Sequence, residues 1–269
     1  MAPSSKSKPK RPWQEIAKEA QDYRDASLAT FAKDFPAEIT NGDILDRTND
    51  STKVPGIFVQ ARDLKITESL LEELVELLAN GKLSAVDVTT AFLRRAALAQ
   101  KLVNSSNCSI NFLMLIFFQT NCITELLPDG ALRRANELDA YFQKHGKPIG
   151  PLHGLPISVK EMIGMKDLGL NAGYVAWWGK VATEDAHVLQ ILWDAGAVFH
   201  ARTTQPQSMM HLETDSNLYG VTVNPYNRNV SAGGSSGGEG ALIGMRGSCL
   251  GIGSDIGGKF RSTAVLNPN

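Results

Sequence analysis

Apolar residues recur along this chain at helical spacing over its first half and in short, strand-like runs over its second, and that change of period organises the reading. A helix is predicted from Trp13 to Ala32. After a polar, irregular stretch, a better one begins at Thr67, which can act as its cap. Leu70, Leu71, Leu74, Val75 and Leu78 then form one apolar face, and Gly81 supplies a stop. Ser84 followed by Asp87 resembles a capping box for the next helix, which carries Val88, Ala91, Phe92, Ala96 and Leu98, so the two helices form a hairpin. A further helix from Ala131 to Lys144 groups Leu132, Ala135, Leu138 and Phe142 and ends at His145-Gly146.

The pattern then shifts. Leu155 to Val159 reads as a buried strand, Asp185 to Ala195 as a helix with Val188, Ile191 and Leu192 inward, and Ala197 to Arg202 as a strand. Strand, helix, strand at that spacing indicates an α/β unit with a largely parallel sheet, whose strand ends are where sites are built. One segment fits neither period. Residues 104–120 place a polar, Asn/Ser-rich start before a continuous apolar run, and their removal would rejoin Lys101-Leu-Val103 to Asn121-Cys-Ile-Thr-Glu125, so they read as an insertion or a translated intron.

Composition narrows the function. The 269 residues are 43% apolar, ordinary for a globular protein, and a net charge of −1 gives no reason to expect nucleic acid or an anionic membrane as partner. The only basic block, Lys6, Lys8, Lys10 and Arg11, sits in a Ser/Pro-rich tail and reads as solvated. Three cysteines without paired spacing and no apolar segment after Met1 point to a reduced, cytoplasmic setting. The apolar run from Ile110 to Phe118 is well short of the ~20 residues that a membrane helix needs.

Chemistry concentrates between Gly233 and Arg261, GGSSGGEGALIGMRGSCLGIGSDIGGKFR, where eleven glycines surround Ser235-Ser236 and Ser254. Glycine at that density brings bare backbone N–H groups up to a bound group, and such clusters stabilise anions, a phosphate or the oxyanion of a tetrahedral intermediate. The order and spacing of this stretch resemble the amidase signature family of serine hydrolases, acetamidase branch. Gly150-Pro-Leu-His-Gly-Leu-Pro-Ile-Ser-Val-Lys160-Glu, Gly173-Tyr-Val-Ala-Trp, Pro206-Gln-Ser-Met209 and Asn224-Pro-Tyr-Asn-Arg-Asn229 extend the likeness over most of residues 67–267.

The resemblance implies an α/β fold with a mixed sheet enclosed by helices, here incomplete. Residues 1–66 would form an N-terminal tail and helical arm, and 67–269 a partial amidase-signature domain. It also implies hydrolysis of a small-molecule carboxamide to a carboxylate and ammonia or an amine, by a Ser-Ser-Lys set without metal or organic cofactor. Such a site must activate a hydroxyl, protonate a leaving nitrogen and hold an oxyanion. Lys160 would be the base, acting when neutral because burial lowers a lysine pKa. Ser235 would relay the proton, and the backbone N–H groups of Ile256, Gly257, Gly258 and Lys259 would form the oxyanion hole. Met209 would line the acyl pocket, while Asp255 and Arg261 would brace the loop as an ion pair. A homodimer is a further possibility.

Where the family carries its nucleophilic serine, in a DIGGS-type sequence, this chain has Lys259. An amine that attacked there would form a stable amide, so turnover should stop. A second ammonium ~4 Å from Lys160 would be repelled by about 4 kcal/mol. The chain also ends at Asn269, where the family continues for a comparable length. A catalytically impaired amidase is therefore expected, with a non-catalytic, truncated amidase-like protein as the alternative. A remoter alternative is a nucleotide binder, because Gly253 to Phe260 comes within one residue of G-x-x-x-x-G-K-[ST]; Phe260 removes the magnesium-ligating hydroxyl.

Overall fold

A computed structural model of the chain describes residues 11–35, 50–101 and 120–257. Helix α1 (Trp13–Ala32) has the predicted bounds. After a 3-10 turn at Ser51–Lys53 come α2 (Pro55–Phe58), α3 (Ala61–Glu68), α4 (Leu71–Ala79) and α5 (Ala85–Lys101). Strand β1 (Ile123–Leu126) and α6 (Pro128–His145) precede β2 (Pro156–Lys160), and α7 (His187–Asp194) crosses from β2 to β3 (Val198–Thr203). A short pair, β4 (Asp215–Ser216) and β5 (Gly220–Val221), is followed by α8 (Gly237–Gly244) and β6 (Leu250–Ile252).

The main sheet has the order β1-β3-β2-β6. β1 runs antiparallel to β3, while β3, β2 and β6 are parallel, so the sheet is mixed with a parallel majority. Every residue of β2 and β3 is buried, as expected of parallel strands covered on both faces. Ile157, Val159 and Phe199 join one apolar cluster with Leu74, Leu78, Phe92 and Leu189. Val198 and Ala201 join the other, which takes in Leu28, Phe31 and Phe35 from the α1 end together with Leu93, Ile123 and Leu138. α1 thus shares its core with the sheet. Among the described residues, no helix is long and apolar enough to cross a membrane.

Local differences from the sequence reading have physical causes. Thr67 does not cap a helix: it is buried within α3, its hydroxyl donating to the Leu64 carbonyl at 3.3 Å, and α4 starts at Leu71. α3 is fixed largely by charge, Asp63 accepting from Arg94 at 2.9 Å and Glu68 from Arg95 at 2.7 Å, so hydrophobic periodicity carries little sign of it. Leu70 lies in the extended break and is 63% exposed. Ser84 accepts from the Asp87 N–H at 3.0 Å as predicted, but Asp87 pairs with Arg62, and Asp139 of α6 caps the Ala85 and Val86 N–H groups. In α7 only one stripe faces inward, and Leu189 with Leu192 three residues on occupies it, leaving Val188 and Ile191 41% and 55% exposed. Most of the expected insertion lies outside the described residues. Its last member, Thr120, is buried, donates to the Ala99 carbonyl at 2.8 Å and accepts the Val223 N–H, so the fold uses it.

Two anchors place α8. At its C-terminal end, buried Arg95 of α5 donates to the Met245 carbonyl at 2.7 Å, which puts a cation where the helix dipole is negative. At its start, glycine permits contact with the residue just past β3: a Cβ on Gly238 would lie 2.5 Å from the backbone N and O of Thr204. Gly238→Ala is expected to destabilise the protein by at least about 2 kcal/mol, read as a lower urea midpoint at unchanged m-value, because backbone cannot retreat as a side chain can.

His200, fully buried on β3 and 2.9 Å from the Gly247 carbonyl, gives a second expectation. Burial lowers its pKa from 6.5 to about 4, so between those values the unfolded chain binds the extra proton. Its contribution to stability is whole above pH 6.5 and is lost as pH falls toward 4. Urea midpoints measured across that window should fall less steeply with acidification in His200→Gln than in the parent chain.

Candidate active site

The carboxyl ends of the three parallel strands meet at one place, where α/β sheets hold their sites. Lys160 is the last residue of β2, Thr203 the last of β3, and Ser254 follows β6 by two residues. Lys160 is fully buried, and its Nζ lies 2.8 Å from Ser235 Oγ, 3.2 Å from Ser236 Oγ and 2.8 Å from Ser254 Oγ. An ammonium offers three donors, and three hydroxyls can accept them. A hydroxyl can also donate, so the same cluster can receive an amine without stranding a polar group.

The two serines arrive on the turn that starts α8. The Gly234–Ser235 peptide bond is cis, and Thr214 pins the turn on both sides, donating to the Gly233 carbonyl at 2.9 Å and accepting the Gly237 N–H at 3.0 Å. Ser236 ties this turn to the loop after β6. Its Oγ accepts from the Ser254 N–H and donates to the Ser254 carbonyl, both at 3.2 Å. Its proton is thus spent on that carbonyl and Ser254 is also directed to Met162 Sδ at 3.4 Å, while Ser235 Oγ meets the lysine at 2.8 Å.

Two buried carboxylates brace the surroundings. Glu161, next to Lys160, accepts from the Asn171 and Ala172 N–H groups at 2.6 and 3.0 Å and from Gln205 Nε2 at 2.7 Å, which holds the loops after β2 and β3 together. Burial pushes its pKa up, against the opposing pull of Arg202 and these N–H groups. Glu239, inside α8, accepts from Ser158 Oγ at 2.5 Å and Thr203 Oγ1 at 2.7 Å, and burial raises its pKa to about 7.

The structure therefore brings together Lys160 and Ser235, and adds Ser236 and Ser254 as further partners of the lysine. Met209 is half-buried at the end of the 3-10 turn Gln207–Met209, whose first residue packs on Gly173. Ile256 is 77% exposed, and the Gly257 N–H donates to Asp255 Oδ1 at 2.9 Å, so in this conformation that N–H is engaged within its own loop. Gly258, Lys259 and Arg261 lie outside the described residues, and with them the expected Asp255–Arg261 pair. Sequence reasoning gave Ser236, Ser254, Glu161 and Glu239 no role. The available signals were a serine just past a strand end and a lone carboxylate in the otherwise apolar, glycine-rich Gly237–Gly244 helix.

Comparison with known proteins fits this geometry. Residues 117–267 match the Amidase family model. The chain is 43% identical to the acetamidase of Emericella nidulans over 257 residues, covering 95% of this chain and 42% of that protein. It is 42% identical to the acetamidase of Aspergillus oryzae over 259 residues, covering 96% and 43%. Among solved structures, a fatty acid amide hydrolase superposes with a TM-score of 0.81 at 35% identity, over 96% of this chain and 42% of that one. The native peptide amidase of Stenotrophomonas maltophilia gives 0.63 at 27% identity, over 74% and 39%. The chain thus spans about two fifths of the length of the curated relatives it matches. On its sequence match from 117 to 267, the chain belongs to the amidase family.

Proposed function

We propose that this chain carries the proton-relay part of a carboxamide hydrolase site, built on Lys160 and Ser235, in which the acyl-accepting position is Lys259. The observation that carries this reading is a buried lysine amine 2.8 Å from a serine hydroxyl at the carboxyl ends of parallel strands. In such a site the neutral lysine takes a proton through Ser235 from the attacking hydroxyl and returns it to the leaving nitrogen. Backbone N–H groups from Ile256 to Lys259 hold the oxyanion, and Met209 lines the acyl pocket. The names of the relatives point to the substrate class: two acetamidases favour a short primary amide releasing ammonia.

A lysine at 259 ends that chemistry at acyl transfer. An amine cannot form the ester that water later cleaves, so the chain holds an amide without turning it over. Loss of a catalytic serine costs roughly a millionfold in turnover, which sets the expected scale. The native chain should release no ammonia from acetamide, propionamide or butyramide above the buffer rate. Lys259→Ser should gain labelling by a serine-directed fluorophosphonate at residue 259, and adding Lys160→Met should abolish that gain. Robust turnover by the native chain would overturn the impaired reading. Absence of labelling in a folded Lys259→Ser variant would overturn the relay.

A further inference from the structure

The segment that joins β3 to β4, from Thr204 to Thr214, runs past the turn that carries Ser235 and is fixed at both ends. At its far end Leu212 and Glu213 pack on that turn, since a Cβ on Gly234 would lie 2.9 Å from the backbone of both. Thr214 then grips the turn through the Gly233 carbonyl and the Gly237 N–H. In between, Ser208 and Met209 have φ of 66° and 59°. Non-glycine residues rarely adopt that left-handed conformation, and it persists only where the surroundings impose it.

At the near end the fixing group is Glu161. Its buried carboxylate accepts from Gln205 Nε2 at 2.7 Å and, in the loop after β2, from the Asn171 and Ala172 N–H groups at 2.6 and 3.0 Å. The two loops also touch, because a Cβ on Gly173 would lie 2.9 Å from the backbone of Gln207. The loop after β2 has further anchors: the Gly169 carbonyl accepts from Arg202 at 2.7 Å, and Asn171 Nδ2 reaches the Tyr219 hydroxyl at 3.3 Å. Gln205 differs. Its side chain is 1% exposed, its Oε1 has no hydrogen-bond partner among the described residues, and its Nε2 donates to Glu161.

Lys160 does not depend on this carboxylate for its place. The Glu161 N–H donates to the Thr203 carbonyl at 3.1 Å and the Ile163 N–H to the Lys160 carbonyl at 2.9 Å, so backbone bonds hold the end of β2. A change in the Glu161 side chain therefore acts on the loops.

We propose that Glu161, acting through Gln205, is a positioning residue that sets where Met209 stands, and so how well the site takes the acyl group of an amide. The first half stands on the hydrogen bonds above, and the second rests on the reading of this site as that of an amidase.

The test uses the full chain with methyl-labelled methionine, the Met209 NMR signal being assigned by Met209→Leu. Gln205→Leu removes the side-chain amide but keeps the carboxylate with its two N–H donors. It should shift the Met209 signal and leave that of Met245, fully buried in the core, where it was. A general loosening of the fold would move both. Glu161→Gln combined with Gln205→Glu rebuilds the bond in reverse and should return Met209 toward its parental position. An unmoved Met209 in a folded Gln205→Leu chain overturns the proposal. The same samples are titrated with acetamide and butyramide. A buried methylene is worth about fourfold in affinity, so butyramide, longer by two, should bind about tenfold more weakly to Gln205→Leu than to the parent, and acetamide no more than about threefold. Equal weakening of the two amides overturns the link to the acyl group. A Met209 signal that moves in Gln205→Leu, in a protein that neither amide perturbs, would leave the positioning intact and remove the amide reading.

Discussion

The buried amine of Lys160 is the constraint on which the rest of the site depends. A lysine with no exposure to water must find hydrogen-bond partners inside the protein or lose its proton. Its partners come from two segments distant in sequence: the turn entering α8, with Ser235 and Ser236, and the loop leaving β6, with Ser254. Each must be anchored separately. Thr214 holds the turn, Arg95 holds the far end of α8, and pairing of Leu250 with Ile157 fixes the start of β6 against β2. Ser236 then links the two segments directly, so the lysine sits in a cage rather than beside a chance neighbour.

Around this cage the protein buries further charge, and the geometry accounts for it. Arg202 of β3 donates to Glu125 at 2.7 Å and also to the Glu161 carbonyl, while the Glu161 side chain gathers the Asn171 and Gln205 loops. Buried ions of this kind seldom add much net stability over an apolar core. What they can do is fix loops at strand ends, where backbone N–H groups have no ladder to join.

How much of this was legible follows from what each signal measures. Period-based reading located α1 to the residue and the strands flanking α7 to within a residue or so, because these elements bury an apolar face. It missed α3, which puts only Ile66 into the apolar core and is otherwise held by Asp63 to Arg94 and Glu68 to Arg95. It turned Val188 and Ile191 the wrong way, because apolar character alone does not say which stripe of a two-turn helix meets the sheet. At the site, the motif spacing brought Lys160 and Ser235 together correctly. Ser254 and Glu239 went unassigned, since their roles depend on β6 lying beside β2 and on α8 crossing both β2 and β3, facts of strand order that no local pattern carries.

On the proposed reading, proton relay and acyl acceptance are physically separate requirements. Among the described residues, the hydroxyls around Lys160 come from Ser235, Ser236 and Ser254, and Ser236 ties the loop after β6 to the turn entering α8. Position 259, on that reading, decides which atom can carry an acyl group, whereas the hydroxyls described around the amine stand at 235, 236 and 254. Stability selects for the cage, because opening it would leave a buried lysine without acceptors. Nothing in that energetic argument selects for a serine at 259. On the proposed reading, a chain of this family can keep these hydroxyls arranged around its lysine while the atom at 259 no longer serves acyl transfer.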